Sequence, residues 1–189
     1  PKRKTLNIHP SLLPKYRGAS PIISQILNDE QEIGTSIMVI DEGMDTGPVI
    51  VQKRITSPPT PLQRKGEEFE NPSLRGGQGG VLSAPELEKI MAYESVKLLV
   101  EVIDKWLVGK IEAKPQDNSR ATTCGKIEKE DGFLDINMQS LPTGRQARKN
   151  LLKIKAFAEW PRAYFFTKRS DKEIRVIITD ATLDNSGNL

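Results

Sequence analysis

Apolar and polar residues alternate along Leu6-Asn7-Ile8-His9, so a short strand there puts Leu6 and Ile8 on one face and Asn7 and His9 on the other. Pro10 stops the ladder and Ser11 to Pro14 forms a tight loop, because proline has no N–H to donate and biases its predecessor toward extended backbone. Ser20 and Pro21 suit the N-cap and first position of a helix that carries Ile22, Ile23, Ile26 and Leu27 on one face and ends near Asn28. The β-branched run from Thr35 to Ile40 predicts a buried strand, and Pro48 to Ile55 its hairpin partner. The acidic, glycine-punctuated loop between them presents Asp45. The clearest helix opens at Ser83-Ala84-Pro85-Glu86, which resembles a capping box. It places Leu87, Ile90, Met91, Leu98, Leu99, Val102, Ile103, Trp106 and Leu107 on one broad face until Gly109 ends it. Further along, a helix from about Lys149 to Phe157 and strands over 164–168 and 173–179 are predicted, with core packing expected for Trp160 and the aromatics after it.

Three stretches break this patterning. Residues 57–80 are rich in proline, glycine and charge, with almost nothing to sustain a core, and predict a disordered or loosely looped insertion. Their glycine run lacks the Gly-Lys-Ser/Thr ending of a phosphate-binding loop. Residues 140–148 look like a second insertion, and 112–125 like a polar linker. The expected organisation is a first domain over 1–111, the linker 112–125, and a second domain over 126–189.

Composition adds limits. The chain's 189 residues can hold one large domain or a domain and a half, and 37% hydrophobic with 28% charged residues fits a globular protein. A net charge of +3 is compatible with a polyanionic partner and compels none. Cys124 is the sole cysteine and His9 the sole histidine, so neither a disulfide nor a cysteine-based zinc site can be built, and no metal is expected. No apolar run approaches the roughly 20 residues that span a bilayer, and the basic start lacks an apolar signal core. A cytoplasmic protein, monomeric and without a membrane partner, is the expectation.

The concentrated chemistry lies in Asn7, His9 and Asp45. An amine attacking a formyl carbon develops an oxyanion and sheds a proton. Asn7 can donate to the oxygen, and a histidine, with an ordinary pKa of about 6.5, can handle the proton. Asp45 can orient the imidazole, favour its protonated form or hold a relaying water. Each also has an ordinary alternative: a structural histidine beside proline, an aspartate forming a turn, an asparagine capping a strand.

The run Asn7-Ile8-His9-Pro10-Ser11-Leu12-Leu13-Pro14, then Tyr16-Arg17-Gly18-Ala19-Ser20-Pro21, then Asp41-Glu42-Gly43-Met44-Asp45-Thr46-Gly47, resembles the 10-formyltetrahydrofolate-dependent formyltransferases in type, order and separation. The Arg-Gly-Ala-Ser-Pro stretch and Trp160-Pro161-Arg162-Ala163-Tyr164 are most similar to the methionyl-tRNA formyltransferase branch. The resemblance implies Asn7, His9 and Asp45 as the catalytic trio and Ser11, Leu12, Leu13 and Pro14 as the loop contacting the folate. It implies an α/β fold, the C-terminal part of a Rossmann-like formyltransferase domain followed by an incomplete C-terminal β-barrel of OB-like type, in a chain truncated at both ends. The implied reaction is formyl transfer from 10-formyltetrahydrofolate to the amino group of methionyl-initiator tRNA. Two alternatives stand beside it: the same chemistry on a nucleotide or sugar amine, and a non-catalytic RNA-binding remnant.

Overall fold

The computed structural model describes residues 5–55, 75–76, 80–136 and 144–183. Strand β1 (Leu6–His9) pairs with β3 (Ile33–Val39), which pairs in turn with β4 (Val49–Ile55), giving a three-stranded antiparallel sheet with β3 at its centre. Helix α1 (Pro21–Leu27) lies between β1 and β3 in sequence. Ser20 is its N-cap residue and Pro21 opens it, as expected, but the Ser20 hydroxyl makes no capping bond.

All seven residues of β3 are buried because the strand is covered on both faces. Ile37 and Val39 pack with Leu98 and Val102 of the long helix α2 (Ala84–Leu107), while Thr35 Oγ1 meets Ser95 Oγ of the same helix at 2.7 Å. On the opposite face Ser36 Oγ donates to the carbonyl of Ser11 at 2.6 Å and accepts from the N–H of Leu13 at 3.1 Å, so the 10–14 loop forms the second cover. Register carries this division to β1. Leu6 lies opposite Val39 and Ile8 opposite Ile37, on the α2 side, whereas Asn7 lies opposite Met38 and His9 opposite Ser36, on the other.

Helix α2 starts with the expected capping box, the Ser83 N–H donating to Glu86 Oε2 at 2.8 Å. Its inner face differs from the expected one in two places. Glu94 and Ser95 are buried where the apolar pattern has a gap, Glu94 pairing with Lys53 of β4 at 2.6 Å, while Leu107 at the helix end is 40% exposed. Residues after α2 dock rather than hang free: Lys114 exchanges two backbone hydrogen bonds with Val49, and strand β7 (Thr123–Cys124) pairs in parallel with β2 (Arg17–Gly18).

Helix α3 (Gly144–Ala156) begins well before the expected Lys149, taking in residues assigned to the 140–148 insertion. Ala147 is fully buried and Arg148 forms a two-bond ion pair with Asp29, so this turn has its own tertiary partners. Helix α3 joins two cores. Leu152 and Ala156 pack with Ile26, Ile33 and Met91, while Ile154 packs with Leu134, Ala163 and Phe165 under the hairpin of β8 (Ala163–Arg169) and β9 (Lys172–Ile178). Phe133 and Leu134 add a parallel bridge to β8. Most of the expected insertion at 57–80, and residues 140–143 of the other, lie outside the described residues; the short strands β5 (Arg75–Gly76) and β6 (Gly80–Val81) pair antiparallel.

Candidate active site

Asn7, His9 and Asp45 meet at one end of a cleft of about 540 Å³. His9 closes β1 and is buried, and its Nε2 lies 2.9 Å from the Tyr16 carbonyl oxygen. A carbonyl only accepts, so Nε2 carries the hydrogen in the neutral ring and Nδ1 is left with its lone pair. Nδ1 faces Asp45 Oδ2 at 3.6 Å. Once protonated, the ring is an imidazolium paired with that carboxylate; neutral, it is a proton acceptor.

The Tyr16 carbonyl is held by a built loop. Tyr16 sits at φ 60° with its ring buried, and its hydroxyl donates to Glu30 Oε2 at 2.9 Å. Burial, reinforced by the acceptor bond to Glu30, pushes the phenol up to about 12. Burial acts against the Glu30 carboxylate, but hydrogen bonds from Tyr16 and Lys15 outweigh it and hold Glu30 below the usual carboxylate range. The next residues reach Asp45 directly, the Gly18 N–H donating to Asp45 Oδ2 at 2.8 Å. Asp45 Oδ1 lies 3.4 Å from Asn7 Nδ2, a long bond that leaves the second amide hydrogen of Asn7 free to bind an oxygen in the cleft.

Ser11, Leu12, Leu13 and Pro14 do not line this cleft, although Pro10 immediately before them does. The Ser11 hydroxyl donates to the Lys15 carbonyl at 2.7 Å, and the Leu13 carbonyl accepts from Gln52 at 2.7 Å. The cleft runs instead along Ile22 and Ile23 of α1, Ala84 and Pro85 at the start of α2, Ala156 at the end of α3 and Trp160 beyond it, with Glu88 and Glu159 among its polar groups. The expectation of a core role for Trp160 is corrected: the side chain is 55% exposed at the lip. Phe157, 1% exposed, takes the core position, and the chain has turned outward by Trp160. Tyr164 and Phe165 are buried as expected, whereas Phe166 is not.

Three contributors escaped the sequence reading: the Tyr16 carbonyl, the Gly18 N–H and Gln116. The first two are backbone groups, whose chemistry no side-chain pattern reports. Gln116 stands in a polar stretch that reads as a linker and carries no local signal. Among the described residues no set of three or more His, Cys, Asp or Glu gathers as a metal would require, and no helix is long and apolar enough to cross a membrane.

Comparison with known proteins supplies independent findings. Residues 1–64 match the sequence model of the formyl transferase family. The chain is 38% identical over 161 residues to a methionyl-tRNA formyltransferase of Chloroflexus aurantiacus, covering 85% of this chain and 43% of that protein. It is 35% identical over 188 residues to the methionyl-tRNA formyltransferase of Thermotoga maritima, covering 100% of this chain and 50% of that protein. The chain therefore spans about half the length of the curated relatives it matches. Its fold is similar to that of a 4-N formyltransferase from Francisella tularensis, with a TM-score of 0.63 at 23% identity over 95% of this chain and 64% of that one. It is also similar to methionyl-tRNA formyltransferase from Clostridium thermocellum, with a TM-score of 0.55 at 17% identity over 93% of this chain and 69% of that one.

Proposed function

We propose, from the match of residues 1–64 to the formyl transferase family, that the protein moves a formyl group from 10-formyltetrahydrofolate to the amino group of methionyl-initiator tRNA. The observation that carries this reading is the meeting of Asn7, His9 and Asp45, with His9 Nε2 committed to the Tyr16 carbonyl and Nδ1 turned to Asp45. That is a site with one amide donor, one proton acceptor and one fixed carboxylate.

Asn7 donates its free amide hydrogen to the formyl oxygen as negative charge gathers there. His9 Nδ1 takes the proton that leaves the attacking nitrogen, and Asp45 stabilises the resulting imidazolium. When the bond from the formyl carbon to the donor nitrogen breaks, His9 returns the proton to that nitrogen and regains its starting state. No metal enters these steps. The cleft's volume falls within the roughly 300–1,000 Å³ usual for small-molecule sites, and its mostly apolar walls with a few converging polar groups fit a folate donor and an aminoacyl acceptor. Ser11 to Pro14 act on the donor side indirectly in this reading, by shaping the backbone around Pro10.

For the nucleic-acid part, the β8–β9 hairpin exposes Lys168, Arg169, Lys172 and Arg175, which suits phosphate contacts; we read 126–189 as part of an OB-like β-barrel domain serving that role. A monomeric, cytoplasmic protein of translation initiation follows from the same reading.

The test is formyl transfer from labelled 10-formyltetrahydrofolate to a panel of acceptors: methionyl-initiator tRNA, a nucleotide-linked amino sugar and a free nucleotide amine. Label is expected on the aminoacyl-tRNA alone, with His9→Ala slowing transfer by about 10²–10⁴-fold. Equal transfer by His9→Ala overturns the assignment of the trio. Preference for the amino sugar moves the protein to the alternative acceptor class, and salt-sensitive tRNA binding without any transfer identifies an RNA-binding remnant.

A further inference from the structure

The loop that carries Asp45 is poorly held by its own residues. Asp41 to Met44 are exposed, and Asp45 itself sits at φ 54°, a conformation that side-chain-bearing residues rarely adopt. Within the loop, Asp41 accepts only from the Gly43 N–H and the Thr46 hydroxyl. The fixing bonds come from a residue far along the chain. Gln116 Nε2 donates to the Asp45 carbonyl at 2.8 Å and to the Gly47 carbonyl at 2.7 Å, spending both amide hydrogens on the same loop. Its Oε1 accepts from Arg17 Nε at 3.1 Å and Nη2 at 2.9 Å. Arg17 also donates to Asn118 Oδ1 at 2.8 Å, and it immediately precedes Gly18, whose N–H holds the Asp45 carboxylate.

These bonds close a ring from Gln116 through Arg17 and Gly18 to the Asp45 side chain and back through the Asp45 carbonyl. One amide thus sets the spacing between the loop bearing the carboxylate and the loop bearing both the Gly18 N–H and the Tyr16 carbonyl that fixes His9. Only a primary amide of this length does so, since it offers two donors on one side and an acceptor on the other. A glutamate would turn a bare oxygen toward two carbonyls. The segment around Gln116 has other anchors, the Lys114–Val49 bonds and the β2–β7 pairing, so its docking does not depend on this side chain. Gln116 is half-buried and belongs to none of the hydrophobic clusters.

We propose that Gln116 is a positioning residue that holds Asp45 against His9 Nδ1. The catalytic consequence rests on the reading of Asn7, His9 and Asp45 as the reacting set; the geometric claim does not. Because His9 is the only histidine, its ring nitrogens give two unambiguous ¹⁵N signals in the intact chain. In Gln116→Ala, the Nδ1 signal is expected to move in the same direction as in Asp45→Asn and by at least half as much, with Nε2 and the thermal midpoint unchanged. If Gln116→Ala does not fold, Gln116→Glu takes its place with the same expectation. An Nδ1 signal that stays at the wild-type position overturns the proposal, and so does one that moves only together with Nε2, which marks general loosening of the Tyr16 loop. In the transfer assay kcat is expected to fall about tenfold with KM for the acceptor unchanged, so that failure of the assay in the wild-type chain bears on the proposed function while the ring signals decide the role of Gln116.

Discussion

Gly18 stands at φ 118°, and a Cβ built on it would run into the carbonyl oxygen of Cys124 across the parallel pairing. Alanine there meets backbone on one side and an unfavourable torsion on its own, so Gly18→Ala is expected to destabilise the fold by about 1–3 kcal/mol, visible as a lower denaturant midpoint. It should also cost activity beyond that loss, since the same N–H holds Asp45; a variant with wild-type midpoint and wild-type transfer would show that the β2–β7 contact is slack. At this scale the sequence announces side chains and hides backbone. Asn7 and His9 share a face because strands alternate, and that much was legible from four residues. The partner that selects the histidine tautomer is the Tyr16 carbonyl, and no residue identity encodes it. Gln116 is the opposite case, a side chain whose role is invisible because its partners, Arg17, Asp45 and Gly47, lie about 70 to 100 positions away.

Helices and strands were easier to anticipate where a single periodicity governs them. The hairpin of β3 and β4 and the capped start of α2 follow from β-branched runs and from Ser83 with Glu86. Helix α3 was legible only in its second half. Its first turn, Gly144 to Arg148, is polar and glycine-led, and only tertiary partners, a fully enclosed Ala147 and the Arg148–Asp29 pair, reveal it as part of the helix. This helix also joins the two cores, Leu152 and Ala156 serving one cluster from one face and Ile154, two residues from each, serving the other. Leu152→Ala is expected to cost about 2–5 kcal/mol through the cavity it leaves beside Ile26 and Met91. Because Ala156, one turn on, lines the cleft as well as this core, transfer activity should fall with stability. Chemical denaturation alongside the assay checks both, and a loss below 1 kcal/mol would mean the cluster collapses around the gap.

At the scale of the whole molecule, the loop that fixes His9 is tied to the rest of the fold through a titrating pair. Tyr16 and Glu30 bond side chain to side chain at 2.9 Å, with Lys15 adding an ion pair to Glu30 at 3.2 Å. The two groups act on stability at opposite ends of the pH scale. The Tyr16 phenol is raised by burial to about 12, from an ordinary value of 10.0, so its contribution is complete below pH 10 and disappears as pH rises from there to about 12. Glu30 is held low, so its contribution is present above its ordinary value of 4.5 and is lost as pH falls through its lowered folded value. Unfolding free energy measured across pH should therefore decline on the alkaline side between 10 and 12 more steeply than general charge repulsion requires. In Tyr16→Phe that steep part should vanish, and the acid limb should shrink as well, because Glu30 loses the larger of the two side-chain hydrogen bonds that hold it low and keeps only that of Lys15. An alkaline limb of equal slope in Tyr16→Phe would place the transition in another group. It would also free the Tyr16 carbonyl, and with it the orientation of His9, from any dependence on the phenol anchor.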